Sequence, residues 1–192
     1  GVDVVIHSAT KYFGGHSDII AGAVVTDKPK IEKIRAMAHN LGGSLNAMDC
    51  YLLERSMKTL ALRVEQQSAN ARKIAEFLSV HDKVERVYYP GLTDHSGHET
   101  ARRQMRGFGA MVSFELQDGI DPIEFQKRLD VILPSMSLGG VESLICSPAM
   151  TSHSSLTPEQ REKEGVKETL LRLSAGIEDV EDLIADLDKN LK

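Results

Sequence analysis

The sequence predicts an α/β fold, from three observations. Residues 2 to 6 are mostly apolar and β-branched, as in a buried parallel strand, and residues 21 to 27 have the composition of its neighbour. Apolar residues then recur at helical spacing from about residue 48 to 78, and short strands and helices alternate after that. We expect a strand-rich α/β unit to about residue 45, a linking helical region, and an α+β unit to the end.

The helical region has a continuous apolar face, which makes it a natural link between two packing units. Its apolar positions are Leu53, Met57 and Leu60, followed at i, i+3, i+4 and i+7 spacing by Ala71, Ile74, Ala75 and Leu78.

The region that follows contains four predicted strands and three predicted helices. The strands are expected at 84–90, 109–116, 131–134 and 170–176. One helix is expected at 122–130, opened by its proline, and a second begins with Thr157 as N-cap, Pro158 at N1 and Gln160 at the reciprocal capping position. The last helix is amphipathic, with Val180, Leu183, Ile184, Leu187 and Leu191 on one face.

Composition excludes several functional classes. The 192 residues carry a net charge of -5, which disfavours a nucleic-acid partner because such binding depends on positive charge. Cys50 and Cys146 lack metal-ligand spacing and are too few for a disulfide framework, so a reducing cytoplasm is the simplest compartment. The sequence shows no membrane-spanning run and no signal-peptide pattern. The strand-like run directly after Gly1 is typical of the continuation of a longer chain.

Lys11 follows a predicted strand at the sheet edge where α/β proteins bind ligands. A lysine beside an apolar sheet loses solvation, which lowers its pKa and frees the amine to form a Schiff base. Ser8 and Thr10 supply hydroxyl groups nearby, and Gly14 and Gly15 allow close backbone approach to a phosphate. The alternative is a strand-end lysine that points into water.

Arg172 lies between Leu171 and Leu173 in a predicted strand, and a partly buried guanidinium needs an anion. That anion is either a substrate carboxylate or a core glutamate such as Glu115, Glu142 or Glu178.

Three other groups carry weaker signals. The loop at residues 135–143, with Ser137 and two glycines, is a binding loop or an ordinary turn. The cluster of Arg102, Arg103 and Arg106 is interpreted as a solvated helix face. The seven histidines lack metal-site spacing, so we predict no metal site.

Several motifs together resemble the Cys/Met-metabolism family of pyridoxal-phosphate (PLP) enzymes, which includes cystathionine γ-synthase, the cystathionine β- and γ-lyases and methionine γ-lyase. "HSATKYFGGHSD" resembles the family's cofactor-lysine motif, and "LERSMKTLALR" its linking helix. "VERVYYPGL", "GFGAMVSFEL", "SLGGVESL" and "LLRLSAGIEDVEDLIADL" resemble, in the family's order, two small-domain strands, the substrate loop and the C-terminal strand and helix. The resemblance covers essentially the whole chain.

The resemblance implies the aspartate-aminotransferase-like PLP-dependent transferase fold (fold type I). Residues 1–47 would form the end of the large PLP-binding domain, 48–80 a linking helical region, and 81–192 the small C-terminal α+β domain. The chain would then be the C-terminal half of an enzyme about twice its size. In the family, the aspartate facing the pyridine nitrogen, the stacking aromatic residue, and a tyrosine and an arginine from a neighbouring subunit lie upstream of the lysine motif.

The resemblance also implies roles for individual residues. Lys11 corresponds to the lysine that holds the cofactor and moves protons, and Ser8 and Thr10 to hydroxyls on the cofactor phosphate. Ser137 corresponds to a serine near the substrate, and Arg172 to the arginine that binds the substrate α-carboxylate.

The implied function is trans-sulfuration, by cleavage of the C–S bond of cystathionine or a related sulfur amino acid through β- or γ-elimination. The alternative within the family is γ-replacement on an O-acylhomoserine. A homo-oligomer, a dimer of dimers in the family, and a cytoplasmic location are implied too. An alternative of another class is an inactive C-terminal fragment or interaction module.

The chain departs from the family pattern at Met136 and at residues 150–153. Met136 stands where several γ-acting members have a glutamate, which weakens a γ-synthase or human-type γ-lyase assignment. "MTSH" at 150–153 differs from the usual "MTH".

Overall fold

A computed structural model describes all 192 residues, which divide into two compact units, Gly1–Ala61 and Leu62–Lys192. No helix in the chain is both long enough and apolar enough to cross a bilayer. The strands are β1 (Val4–Ser8), β2 (Gly22–Thr26), β3 (Val84–Tyr88), β4 (Met111–Leu116), β5 (Leu133–Pro134), β6 (Leu144–Cys146) and β7 (Leu170–Ser174). The helices are α1 (Lys28–Leu41), α2 (Ala47–Met57), α3 (Leu60–Ser79), α4 (His98–Gln104), α5 (Pro122–Lys127), α6 (Pro158–Lys163) and α7 (Val180–Leu191).

Strands β1 and β2 form an antiparallel pair, so the expectation of buried parallel strands is wrong. The pairing continues past Ser8, because the Thr10 N–H donates to the Ala21 carbonyl at 3.1 Å and the chain returns directly beside itself. The strands are also exposed: 76% of Ile6 and 59% of Val25 are accessible. The predicted adjacency of the two strands is confirmed, but a β-branched composition predicts neither the direction of pairing nor the burial of a strand.

Helix α1 has no buried residue and was not predicted. Its limits carry local signals that could have revealed it. Asp27 caps it by accepting from the Lys30 N–H, Pro29 lies in its first turn, and Gly42 ends it at φ 73°.

The predicted helical region at 48–78 is confirmed as two helices, α2 and α3, with a break at Lys58 and Thr59. Asn46 caps α2 by accepting from the Asp49 N–H. Of the predicted apolar face, Ala71, Ile74, Ala75 and Leu78 are fully buried in α3. The earlier part of that face is not: Leu53 and Leu60 are half-buried, and Met57 is 47% exposed.

The second unit is built on a five-stranded sheet in the order β3-β4-β7-β6-β5. Only β5 and β6 pair in parallel, whereas the other neighbours are antiparallel. The four predicted strands are present, although β5 has two residues instead of the four expected. Strand β6 was not predicted, because its three buried residues are too few to show a period.

The core of this unit lies between one face of the sheet and helices α3 and α7. Along β7, Leu171 and Leu173 are fully buried in this core, while Arg172 lies on the opposite face. The predicted apolar stripe of α7 is confirmed, with Leu183 and Leu187 completely buried. The predicted capping box at Thr157 and Gln160 is confirmed as well.

Asp186 connects α7 to the segment that leads into β5. Its carboxylate is buried, at 5% exposure, and accepts from three consecutive backbone N–H groups. The Asp130 N–H donates to Oδ1 at 2.9 Å, and those of Val131 and Ile132 donate to Oδ2 at 2.9 and 3.0 Å. A single carboxylate therefore satisfies three consecutive backbone donors of one turn.

We expect Asp186→Asn to lower the free energy of unfolding by about 2 to 3 kcal/mol, because one accepting oxygen becomes an amide that leaves backbone donors unsatisfied. Urea unfolding measures the loss. Asp182→Asn, on the exposed side of the same helix, is the matched control and should change stability by less than about 0.5 kcal/mol. Equal losses in the two variants would contradict this role.

Candidate active site

Lys11 lies in a tightly wound loop between β1 and β2, at residues 9–21. The Lys11 N–H donates to the Ser8 carbonyl at 3.2 Å, and the Lys11 carbonyl accepts from the Gly15 N–H at 2.7 Å. The Gly14 N–H donates to the Ala9 carbonyl at 2.8 Å. The backbone on both sides of Lys11 is thus held by the loop itself.

The Thr10 hydroxyl fastens this loop across its base. Thr10 Oγ1 accepts from the Ala21 N–H at 3.0 Å and donates to the Ala21 carbonyl at 3.3 Å. The donated bond is the longer one, so its proton can turn towards an anion while the bond from the Ala21 N–H stays in place.

Ser8 has no such internal bond. It is exposed at the end of β1, and its hydroxyl makes no hydrogen bond within the chain. The hydroxyl can therefore donate to a ligand at no cost in internal contacts.

Gly14 and Gly15 are required by the loop itself. A Cβ on Gly14 would lie 2.8 Å from the Cγ1 of Ile19, and Gly15 has a φ of 68°. That these two glycines allow the backbone to approach a phosphate group closely stays a prediction.

Helix α2 supports the loop from within the first unit. Ala9 and Ile19 are buried in a small core that includes Leu52 and Leu53 of α2. His16 Nδ1 lies 2.8 Å from the Gly14 carbonyl oxygen and 3.3 Å from Ser56 Oγ on α2.

Burial raises the pKa of the Tyr12 hydroxyl, next to Lys11.

Arg172 is held by backbone carbonyl groups and forms no ion pair. Its Nη2 donates to the Met136 carbonyl at 2.7 Å and to the Ser137 carbonyl at 3.3 Å, while its Nε is buried without a partner. The row across the sheet on this face is Ser113, Arg172 and Cys146.

The glutamates considered as structural partners of Arg172 do not pair with it. Glu115 accepts from Tyr88 at 2.6 Å and from Lys167 at 2.7 Å, and Glu178 accepts from Ser143 at 2.8 Å. Arg172 forms no salt bridge, so Glu142 does not pair with it either. The guanidinium thus has no carboxylate partner within the chain, and its buried Nε has no hydrogen-bond acceptor.

The predicted site residues fall into two groups. Ser8, at the end of β1, and Thr10 and Lys11, in the loop that follows it, lie in the first unit. Ser137 and Arg172 are joined in the second unit by the bond from the guanidinium to the Ser137 carbonyl. The Arg102, Arg103 and Arg106 side chains are exposed, and Arg102 pairs with Glu99 at 2.8 Å, as expected for a solvated face.

Sequence reasoning missed the residues that hold the 135–143 loop, among them Gln67, Ser143 and Ser174. They are polar residues separated by tens of positions, and no local pattern connects them.

The model of the "Cys/Met metabolism PLP-dependent enzyme" family matches residues 1–192. The chain therefore belongs to this family of PLP-dependent enzymes, as the motifs predicted.

Three named relatives are similar to this chain. The chain is 49% identical over its full length to 51% of a "Cystathionine beta-lyase" from Lactococcus lactis subsp. cremoris. It is similar to the crystal structure of cystathionine gamma-lyase from Lactobacillus plantarum complexed with L-serine, with a TM-score of 0.93 and 46% identity, over 99% of this chain and 50% of that one. The chain is also similar to the crystal structure of cystathionine gamma synthase from Xanthomonas oryzae pv. oryzae in complex with cystathionine. The TM-score is 0.93 and the identity 45%, over 100% of this chain and 50% of that one.

The likeness to these structures confirms the predicted α/β fold of PLP-dependent lyases and synthases of this family. The chain spans about half the length of the curated relatives it matches.

The residues of the lysine loop fit the family's cofactor. A phosphate needs donors, and the unbonded Ser8 hydroxyl and the long Thr10 bond can provide two. The Lys11 amine is the group that can react with an aldehyde carbon.

We expect Thr10→Val to loosen the loop by removing both hydrogen bonds between the Thr10 hydroxyl and Ala21, while the bond from the Thr10 backbone N–H remains. Thr10→Ser keeps the hydroxyl. Amide hydrogen exchange at Ala21 should become roughly tenfold faster in Thr10→Val, as for the loss of about 1.4 kcal/mol of local stability. Thr10→Ser and Ser8→Ala are the controls and should exchange as the unaltered protein does. Unchanged exchange in Thr10→Val would show that the hydroxyl does not hold the loop.

Proposed function

We propose that this chain carries the lysine and the carboxylate-binding half of a PLP-dependent enzyme that cleaves the C–S bond of cystathionine or a related sulfur amino acid. The observation that supports this most strongly is the family match over all 192 residues, which includes the Lys11 loop. Two of the three relatives compared above are named as lyases, which favours elimination over replacement.

Each residue receives a task that its surroundings allow. The Lys11 amine holds the cofactor until the amino group of the substrate displaces it. The released amine then takes the proton from the substrate Cα and returns it at the C–S bond that breaks. Ser8 and Thr10 donate to the cofactor phosphate. Arg172 donates through its guanidinium to the substrate α-carboxylate, and Ser137 positions the substrate amino acid beside it.

Bound PLP supplies the electron sink that accepts the electron pair released at Cα. The loop bonds around Lys11 keep its backbone fixed while the side chain moves between these tasks.

We propose the domain assignment of residues 1–47 to the end of the large cofactor-binding domain, 48–80 to a linking helical region, and 81–192 to the small domain. The boundary between the two compact units, after Ala61, falls inside the proposed link. The linking region contains α2 and α3.

We further propose that the partners of this chain are the N-terminal half of the same enzyme and further copies in a homo-oligomer. The first unit exposes apolar side chains that a folded domain ordinarily buries, including Val2 at 79%, Ile6 at 76% and Ile20 at 84%. Cys50 and Cys146 are both free thiols, which favours a cytoplasmic location.

The second candidate is γ-replacement on an O-acylhomoserine, in which the acyloxy group leaves from Cγ and the sulfur of cysteine takes its place. It is favoured by the likeness to the cystathionine gamma synthase structure, whose identity of 45% is close to that of the lyase structure. Met136, where several γ-acting relatives have glutamate, weighs against it.

We expect the full-length protein to bind PLP covalently through Lys11. Borohydride reduction followed by peptide mass spectrometry should locate the cofactor on Lys11 and nowhere else, and Lys11→Ala should abolish both the label and turnover. Lys28→Ala, at the exposed start of α1, is the control and should retain both. A full-length protein without bound cofactor would favour the inactive module instead.

The reaction type follows from product analysis of the same preparation. Elimination releases pyruvate or 2-oxobutyrate from cystathionine alone, or 2-oxobutyrate from methionine. Replacement requires both an O-acylhomoserine and cysteine, so turnover only with that pair would contradict elimination.

We expect Arg172→Ala to raise the KM for the amino acid by about thirtyfold or more, because loss of one partner of a buried charge pair costs about 2 to 5 kcal/mol. Arg172→Lys keeps the charge without the planar fork and should be intermediate. Steady-state kinetics measure both variants. An unchanged KM in Arg172→Ala would assign the residue a purely structural role.

A further inference from the structure

The 135–143 loop is held in place by buried polar groups of β7, of the residues that follow β7, and of α3. The Gly139 N–H donates to Ser174 Oγ at 2.9 Å, and Gln67 Nε2 donates to the Gly140 carbonyl at 2.6 Å. The Val141 carbonyl accepts from the Ile177 N–H at 2.9 Å. Ser174 and Gln67 are exposed by 1% and 0%, so water cannot replace these bonds.

The strongest of these attachments joins Ser143 to Glu178. The two oxygens of the Glu178 carboxylate accept from the Ser143 N–H at 2.5 Å and from the Ser143 hydroxyl at 2.8 Å. The same hydroxyl accepts from the Gly176 N–H at 2.8 Å. Ser143 is completely buried, so its two donors depend on this one carboxylate.

Little space remains around this attachment. A Cβ on Gly176 would collide with the Glu178 carboxylate and with the Val141 carbonyl. Asn70 Nδ2 also donates to the carbonyls of Gly176 at 3.0 Å and of Glu178 at 2.8 Å, which fixes the backbone that carries the carboxylate. The Glu178 side chain therefore has a defined position from which to hold the loop.

The other end of the loop holds Arg172. The carbonyls of Met136 and Ser137 accept from the guanidinium, and Arg172 is two residues before Ser174 in β7. A shift of the loop would move these carbonyls, and the direction of the remaining guanidinium donors would change with them.

We propose that Glu178, acting through Ser143, is a positioning residue that aims the Arg172 guanidinium at the substrate carboxylate. This inference rests on the proposed function, because it presupposes that Arg172 binds that carboxylate. Glu178 does not contact the substrate. Its effect is confined to ligands that carry the carboxylate bound by Arg172.

The test uses the full-length protein with bound PLP and two ligands that differ only at the carboxyl group, L-alanine and L-alaninamide. Spectrophotometric titration gives the dissociation constant of each. Glu178→Ala should weaken L-alanine by about tenfold, because a misplaced charged donor loses much of its directed interaction. L-Alaninamide should change by less than about twofold, since Arg172 has no carboxylate to bind in it.

Glu178→Gln guards against a folding defect, because it keeps the shape and one acceptor. Its amide cannot accept from both Ser143 donors, so it should weaken L-alanine by roughly threefold. Glu181→Gln, which alters an exposed acid at the start of α7, is the matched control and should leave both ligands unaffected.

A double-mutant cycle with Arg172→Ala shows whether Glu178 acts through Arg172. In that background Glu178→Gln should have no further effect on L-alanine. Equal weakening of both ligands by the Glu178 variants, or undiminished weakening in the Arg172→Ala background, would overturn the positioning role. A wild-type protein that binds neither ligand would instead overturn the proposed function, and this inference with it.

Discussion

The arrangement of the second unit depends on the alternation of side chains along β7. Because Leu171 and Leu173 enter the core between the sheet and helices α3 and α7, Arg172 must lie on the other face. A shift of one residue in the register of β7 would bury the guanidinium among leucines, which is costly without a paired anion. The hydrophobic core thus decides where the positive charge is placed, before any ligand is considered.

The two groups of candidate site residues are held in place by different kinds of interaction. The Lys11 loop is held by short-range backbone bonds and by the Thr10 hydroxyl, all within fourteen residues of chain (8–21). Arg172 is held by carbonyls of a loop that is far away in the sequence and is itself attached through Ser143, Ser174 and Gln67. The first group is a local structure, and the second exists only because the sheet brings distant segments together.

These differences explain which parts of the fold could be predicted. The helix capping box at Thr157 and the buried faces of α3 and α7 are properties of neighbouring residues, and they agree with the sequence prediction. The adjacency of β1 and β2 was predicted, but their antiparallel direction was missed, because strand composition does not encode the direction of pairing. Strand β6 was missed because its three residues are too few to show a period. Helix α1 was missed as well, although Ile31, Ile34 and Leu41 recur at helical spacing; none of its residues is buried in the structure.

The sequence by itself determined the family, because the motif around Lys11 and the motifs that follow it are contiguous patterns, and it also singled out Arg172 as a charge among apolar neighbours. Only the tertiary structure decided that Arg172 is held by the carbonyls of Met136 and Ser137 instead of a core glutamate. It likewise decided that Glu178 is engaged by Ser143. The physical reason is that hydrogen bonds between residues tens of positions apart depend on strand order and register, which sequence periodicity does not encode.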